Sequence, residues 1–187
     1  MQTWLLYALL TVLSWGVYGV ILHAARSKMP MGPEAPNASL KAFLFVCIAY
    51  ALVGVVTAIV LKTRSTNWSF TGATGNGIPL SLVAGMAGAL GALTLVLALG
   101  EAASPKGGNF GVAAAAAVMP IVFAGAPVIN TITAMFMHPP EGGFKSLPIP
   151  FIAGCLMAAS GAFLVAKYAP SNTGAAAHPP AAASKPH

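Results

Sequence analysis

Two stripes of side chains inside long apolar stretches have the chemistry to recognise a solute. Trp15, Tyr18, Gly19 and Leu22 share one helical face by i, i+3, i+4, i+7 spacing. The two rings stand near mid-stretch, away from the interfacial belt where membrane Trp and Tyr usually gather. A buried indole N–H or phenol O–H needs a partner. Gly16 and Gly19 leave the backbone there approachable. Either the polar tips are satisfied locally and the face packs on another helix, or the rings wall a substrate cavity. The second stripe is Phe123, Pro127, Asn130 and Ala134, flanked by Thr131 and Thr133. Pro127 frees the carbonyl of Phe123, and Pro120 frees that of Ala116. Freed carbonyls and an amide make a polar lining. Alternatively, threonine hydroxyls and neighbouring helices satisfy those carbonyls and the prolines only shape packing.

Two ionisable residues stand close to these stripes. His23 lies about one turn from the end of the first apolar stretch, beside Arg26. It is a candidate for proton handling or a histidine that reaches towards the interface. Glu101 closes the third stretch, either as a cation or proton site or as a solvated end residue that pairs with Lys106. The substrate-binding set is therefore Trp15, Tyr18, Gly19, Phe123, Pro127 and Asn130, and the ion-coupling set is His23 and Glu101.

The missing residue types narrow the chemistry further. No Asp or Glu occupies the middle of an apolar stretch, and no GxSxG, HExxH, Walker loop or haem-ligand pair occurs. The expectation is a protein that is not an enzyme and carries no cofactor. Cys47 and Cys155 form no CxxC pair and read as small apolar packing residues. His23, His138, His178 and His187 are scattered, so no metal site is expected.

The composition says where these residues must sit. The chain has 187 residues, 57% hydrophobic and 6% charged. Soluble domains carry about 25% charged residues. The mean hydropathy of +0.81 excludes an ordinary soluble domain. The net charge of +6 lies at the ends of apolar stretches, which suits anionic headgroups and not nucleic acid.

Five apolar segments are expected to be helices that cross a bilayer: 3–25, 40–61, 78–100, 112–137 and 150–168. The fourth runs without a charge through two prolines and one asparagine. The first has no basic n-region and is too long for a signal peptide, so it reads as a retained span. Short connections carry the breakers: Pro30, Gly32, Pro33 and Pro36, then Gly72, Gly75 and Gly77, then Pro105, Gly107 and Gly108, then Pro139, Pro140, Gly142 and Gly143. The expected organisation is an all-α transmembrane domain over 1–169 and a disordered Ala/Pro-rich tail over 170–187.

Lysine and arginine placement predicts orientation. Arg26, Lys28, Lys41, Lys106, Lys167 and Lys185 fall on one side, and Lys62, Arg64 and Lys145 on the other. The richer side should be cytoplasmic, with the N-terminus outside and the tail inside. The bias is small enough to leave dual insertion open. The sequons Asn37-Ala-Ser39 and Asn67-Trp-Ser69 carry no weight in a bacterial inner membrane, which the compact spans and loops suggest. Small residues recur every fourth position at Ala84, Gly88 and Ala92, and again at Gly154, Ala158 and Ala162. Such stripes serve packing within a bundle or a self-association face.

Three motifs in this order resemble the EamA-like branch of the drug/metabolite transporter superfamily. They are TVLSWGVYG at 11–19, ALGEAAS at 98–104 followed by AVMPIVFAGAPV at 117–128, and the small-residue segment at 152–165. The resemblance covers residues 3–167. It implies one five-helix repeat where larger members carry two of opposite orientation. A single repeat implies pairing, as an antiparallel homodimer with a central cavity or with a membrane partner protein. It also implies that Trp15, Tyr18, Pro120, Pro127 and Asn130 face that cavity. The small multidrug exporters of this superfamily carry a glutamate in the first helix, and this chain has none. That argues against proton-coupled export of cationic drugs, and the Trp15–Tyr18 aromatic face suits a small neutral metabolite as the expected solute.

Overall fold

The computed structural model describes residues 3–30, 32–64, 67–72, 75–137, 139, 143 and 147–169. The expected tail, 170–187, and the residues His138, Lys145, His178, Lys185 and His187 lie outside the described residues.

Among the described residues five long α-helices form: α1 Thr3–Ser27, α2 Ala38–Arg64, α3 Ile78–Ala103, α4 Ala114–Met137 and α5 Ile149–Lys167. Each is long and apolar enough to cross a membrane. These sequences are rich in valine, isoleucine, threonine and glycine, which are indifferent helix formers in water. In an apolar medium the helix is the one local structure that satisfies every backbone donor and acceptor within a single segment. The exposed hydroxyls obey the same demand. Thr11 donates to Tyr7 O, Ser14 to Leu10 O, Thr57 to Val53 O and Thr133 to Ile129 O, all at 2.8–2.9 Å. Each hydroxyl folds back one turn onto its own helix.

The helix ends depart from the expected bounds. α2 continues past Lys62 to Arg64, and α3 continues past Gly100 and Glu101 to Ala103. A single charged residue can stay helical because its side chain reaches solvent from the last turn. What stops α3 is the turn after it. Ser104 N and Oγ both bond Glu101 O, and Phe110 N returns to Ala102 O at 3.0 Å. Gly108 sits there at φ +134°, a conformation side-chain-bearing residues rarely adopt. α4 is entered through a 3-10 turn, Gly111–Ala113, and runs unbroken through Pro120 and Pro127. A second 3-10 helix, Gly32–Asn37, leads into α2. The α2–α3 connection adds a small antiparallel pair, β1 Thr71–Gly72 with β2 Gly75–Asn76, the one β element among the described residues.

The chain divides into two compact units, Met1–Gly100 and Glu101–His187. In the first, the buried residues gather at one end of the helices. They are Gly19, Leu22 and His23 late in α1, Ala38, Ser39 and Ala42 at the start of α2, and Ala92, Leu95, Val96, Leu99 and Gly100 late in α3. The opposite ends expose Trp4, Tyr7, Leu52, Val53, Leu80 and Leu82. Exposed apolar surface on this scale is unusual in a soluble monomer and suits contact with lipid or another chain. In the second unit α4 packs along α5. The buried residues of α4 are confined to its first turns, Ala114, Ala115, Ala117 and Met119.

Candidate functional site

The first aromatic stripe is realised within the Met1–Gly100 unit. Trp15 and Tyr18 stand one turn apart on α1 with ring centroids 5.6 Å apart and planes tilted by 56°. That tilted contact is a favourable aromatic geometry. With Ser14 and Tyr50 of α2 they line a cavity of about 180 Å³. Tyr18 also borders a larger apolar groove of about 490 Å³ between α1 and α2, with Leu22, Ala42, Phe45 and Ala49 among its walls. The Tyr18 hydroxyl is buried and makes no hydrogen bond of regular geometry. The polar groups that act on it are Tyr50 and Cys47.

Below the aromatic pair the stripe continues as Gly19, Leu22 and His23, all buried. His23 is 8% exposed, so it packs inward rather than reaching towards an interface. The stripe ends at Arg26. Its Nε donates to Ser39 Oγ at 3.0 Å, and that hydroxyl donates on to Val96 O at 3.2 Å. One serine thus ties the end of α1 and the start of α2 to the last turns of α3. Gly100 makes this possible. A methyl group in its place would lie 2.7 Å from Ser39 Oγ and 2.9 Å from Arg26 Nε.

The second stripe is realised differently, within the Glu101–His187 unit. Phe123 and Pro127 line a groove of about 280 Å³ against Phe151, Gly154 and Cys155 of α5. Thr131 is the hydroxyl on that groove. Asn130 is exposed and does not line it. The Gly154/Ala158/Ala162 stripe faces α4 along this groove and the next one, so its small residues serve helix packing. In α3 the corresponding stripe is packed only at Ala92, while Ala84 and Gly88 are exposed.

The two predicted halves of the substrate set therefore fall in different units. Trp15, Tyr18 and Gly19 lie in one, and Phe123, Pro127 and Asn130 in the other. Glu101 sits in the last turn of α3 with an exposed side chain. Among the described residues the one ion pair is Lys41 with Glu34, 2.8 Å apart, and Glu101 forms none with Lys106. That pair is outside the apolar helical cores. The Lys41 ammonium, joined by the Asn37 amide, holds the Glu34 carboxyl below the usual carboxylate range. Among the described residues no group of three His, Cys, Asp or Glu side chains could hold a metal.

Sequence reasoning missed Tyr50, Ser14 and the Arg26–Ser39–Gly100 junction. Tyr50 carried the same signal as Tyr18, a phenol in the middle of an apolar helix. The junction carried no local signal, because its three residues come from three helices. The chain matches no protein-family model, no curated protein and no solved structure.

Proposed function

We propose that this chain is a multi-pass membrane carrier for a small neutral metabolite, similar to one EamA-like repeat and working as a dimer. The observation that carries the proposal is the cavity of Ser14, Trp15, Tyr18 and Tyr50. It combines ring faces for an apolar body with phenol groups for a hydroxyl or carbonyl. Its lining comes from two helices, each long and apolar enough to cross a membrane. The five such helices among the described residues are the size of a single repeat, and two inverted copies of one repeat would create a site at the bilayer midplane. α4 supplies proline-softened backbone at Pro120 and Pro127, which suits a helix that moves between two states.

The test is uptake of labelled neutral solutes, sugars and amino-acid amides among them, into proteoliposomes holding the full chain. Trp15→Ala should abolish uptake while protein level and helicity hold. A second reading is a non-transporting membrane subunit of a larger complex, favoured by α5, which has no buried residue. Under that reading Trp15→Ala leaves every solute flux unchanged, and what is lost is co-purification of a partner. Reporters fused after His187 separate homodimer from heteromer. Activity on both membrane faces supports dual insertion and the antiparallel pair, and cytoplasmic activity alone supports a partner protein.

A further inference from the structure

The end of α1 holds a cation whose counter-charge the described residues do not provide. Arg26 is half-buried where α1, α2 and α3 meet. A guanidinium presents five N–H donors in a rigid fork. One of them, on Nε, is fixed on the 4%-exposed Ser39. Among the described residues no carboxylate forms an ion pair with Arg26. Glu34 is engaged by Lys41, and the Glu101 side chain is exposed. The other titratable groups near it in sequence are buried His23 and exposed Lys28, so the local balance is positive or neutral, never negative. A partly desolvated cation is costly unless an anion meets it. Gly100 adds a further feature, since its missing side chain leaves the room that the guanidinium occupies beside α3.

We propose that this junction is a binding site for a phosphate-type oxyanion, with Arg26 as the fork donor and Ser39 as the residue that positions it. With Nε anchored, the two terminal NH₂ groups remain to hold two oxygens of one anion. The site stands at the end of a helix long enough to cross a membrane, the level at which lipid phosphates lie. The same chemistry would accept a soluble phosphate.

The test uses the full chain in neutral detergent and native mass spectrometry. The probes are phosphatidylglycerol, phosphatidylcholine and inorganic phosphate. The expected result is retention of phosphatidylglycerol about tenfold above phosphatidylcholine, lost in Arg26→Gln and partly kept in Arg26→Lys, which keeps the charge without the fork. Displacement of the lipid by excess inorganic phosphate identifies a soluble oxyanion site, and resistance to it identifies a headgroup site. Ser39→Ala keeps the charge and releases Nε, and it should weaken retention several-fold even if Arg26→Gln fails to fold. Equal retention by wild type and helical Arg26→Gln, unchanged retention by Ser39→Ala, or no binding of any probe to the wild type would each overturn the proposal.

Discussion

The Arg26 guanidinium rests on the bare backbone of Gly100, so close that a methyl group there would sit 2.9 Å from Nε and 3.3 Å from Cζ. The contact joins the end of one helix to the end of another, and Arg26 Nε is itself held by Ser39. Ser39 Oγ blocks the same methyl at 2.7 Å and is itself buried.

Gly100→Ala should therefore destabilise the chain by about 1–3 kcal/mol, the usual cost of overpacking. Gly16→Ala is the matched control in α1. Apart from its chain neighbours and the adjoining helix backbone, nothing lies within 4 Å of the added methyl there. Alanine is the better helix former by about 1 kcal/mol, so that variant should be neutral or slightly stabilised. Thermal unfolding of both proteins in one detergent checks the pair. Equal midpoints would mean that the junction does not constrain the fold.

Ser39→Ala tests the same junction from its centre. The variant removes the acceptor of Arg26 Nε and the donor to Val96 O. A lost partly buried hydrogen bond to a charged donor costs about 1.5–3 kcal/mol. The expected signature is faster hydrogen exchange at the start of α2 and the end of α3. α4 and α5 should exchange as before.

These elements show what a sequence can and cannot reveal. The five helices were legible because span length and apolarity are properties of one continuous stretch. The Trp15–Tyr18 face was legible because helical spacing fixes which neighbours share a side. Asn130 illustrates the limit. It was grouped with Pro127 by spacing, yet the groove against α5 is centred on Pro127, Val128 and Thr131, and the asparagine falls outside it. Periodicity identifies a stripe on a helix but not which edge of the stripe a neighbour covers. In the sequence Arg26 is a topology signal, since its tie to Ser39 and Gly100 exists only once three helices meet. The charge of Glu101 does not end α3, because the helix stops only where the turn at Ser104 supplies new partners for its carbonyls.

Tyr18→Phe separates recognition from packing. The substitution keeps the ring in its tilted contact with Trp15 and deletes only a buried hydroxyl with no regular hydrogen bond. Stability should change by less than about 1 kcal/mol, because little net hydrogen-bond energy is lost. If the hydroxyl holds a guest, uptake of a hydroxylated solute should fall by about tenfold, the effect of losing roughly 1.4 kcal/mol of binding. Unchanged uptake beside unchanged stability would remove Tyr18 from the binding set.

The Glu34–Lys41 pair sets a small acid-side dependence. Lys41 depresses the Glu34 carboxyl pKa in the folded chain. A depressed carboxylate favours the fold above its unfolded pKa, and that contribution disappears as pH falls through the folded value. The window therefore lies in and below the ordinary glutamate range, about 4.3. The pair is exposed, so salt should weaken it. Carbon-13 NMR of Glu34 should show a midpoint below the ordinary value that rises in Lys41→Ala. Coincident titrations in the two proteins would mean that the pair does not persist in solution.

Cys47 offers a direct check on the membrane itself. Its thiol is exposed on the protein surface, in the interior of a helix with no buried residue beyond Ala42. In water such a thiol would react at once with a charged maleimide. If α2 crosses the bilayer, the same position faces acyl chains, which the charged reagent does not enter. Cys155→Ala leaves Cys47 as the single cysteine. In intact membranes this variant should resist the charged maleimide and label only after solubilisation and unfolding. Rapid labelling in intact vesicles would place the middle of α2 against water. The surface exposed by Leu44, Phe45 and Ile48 would then have to be covered by protein rather than lipid.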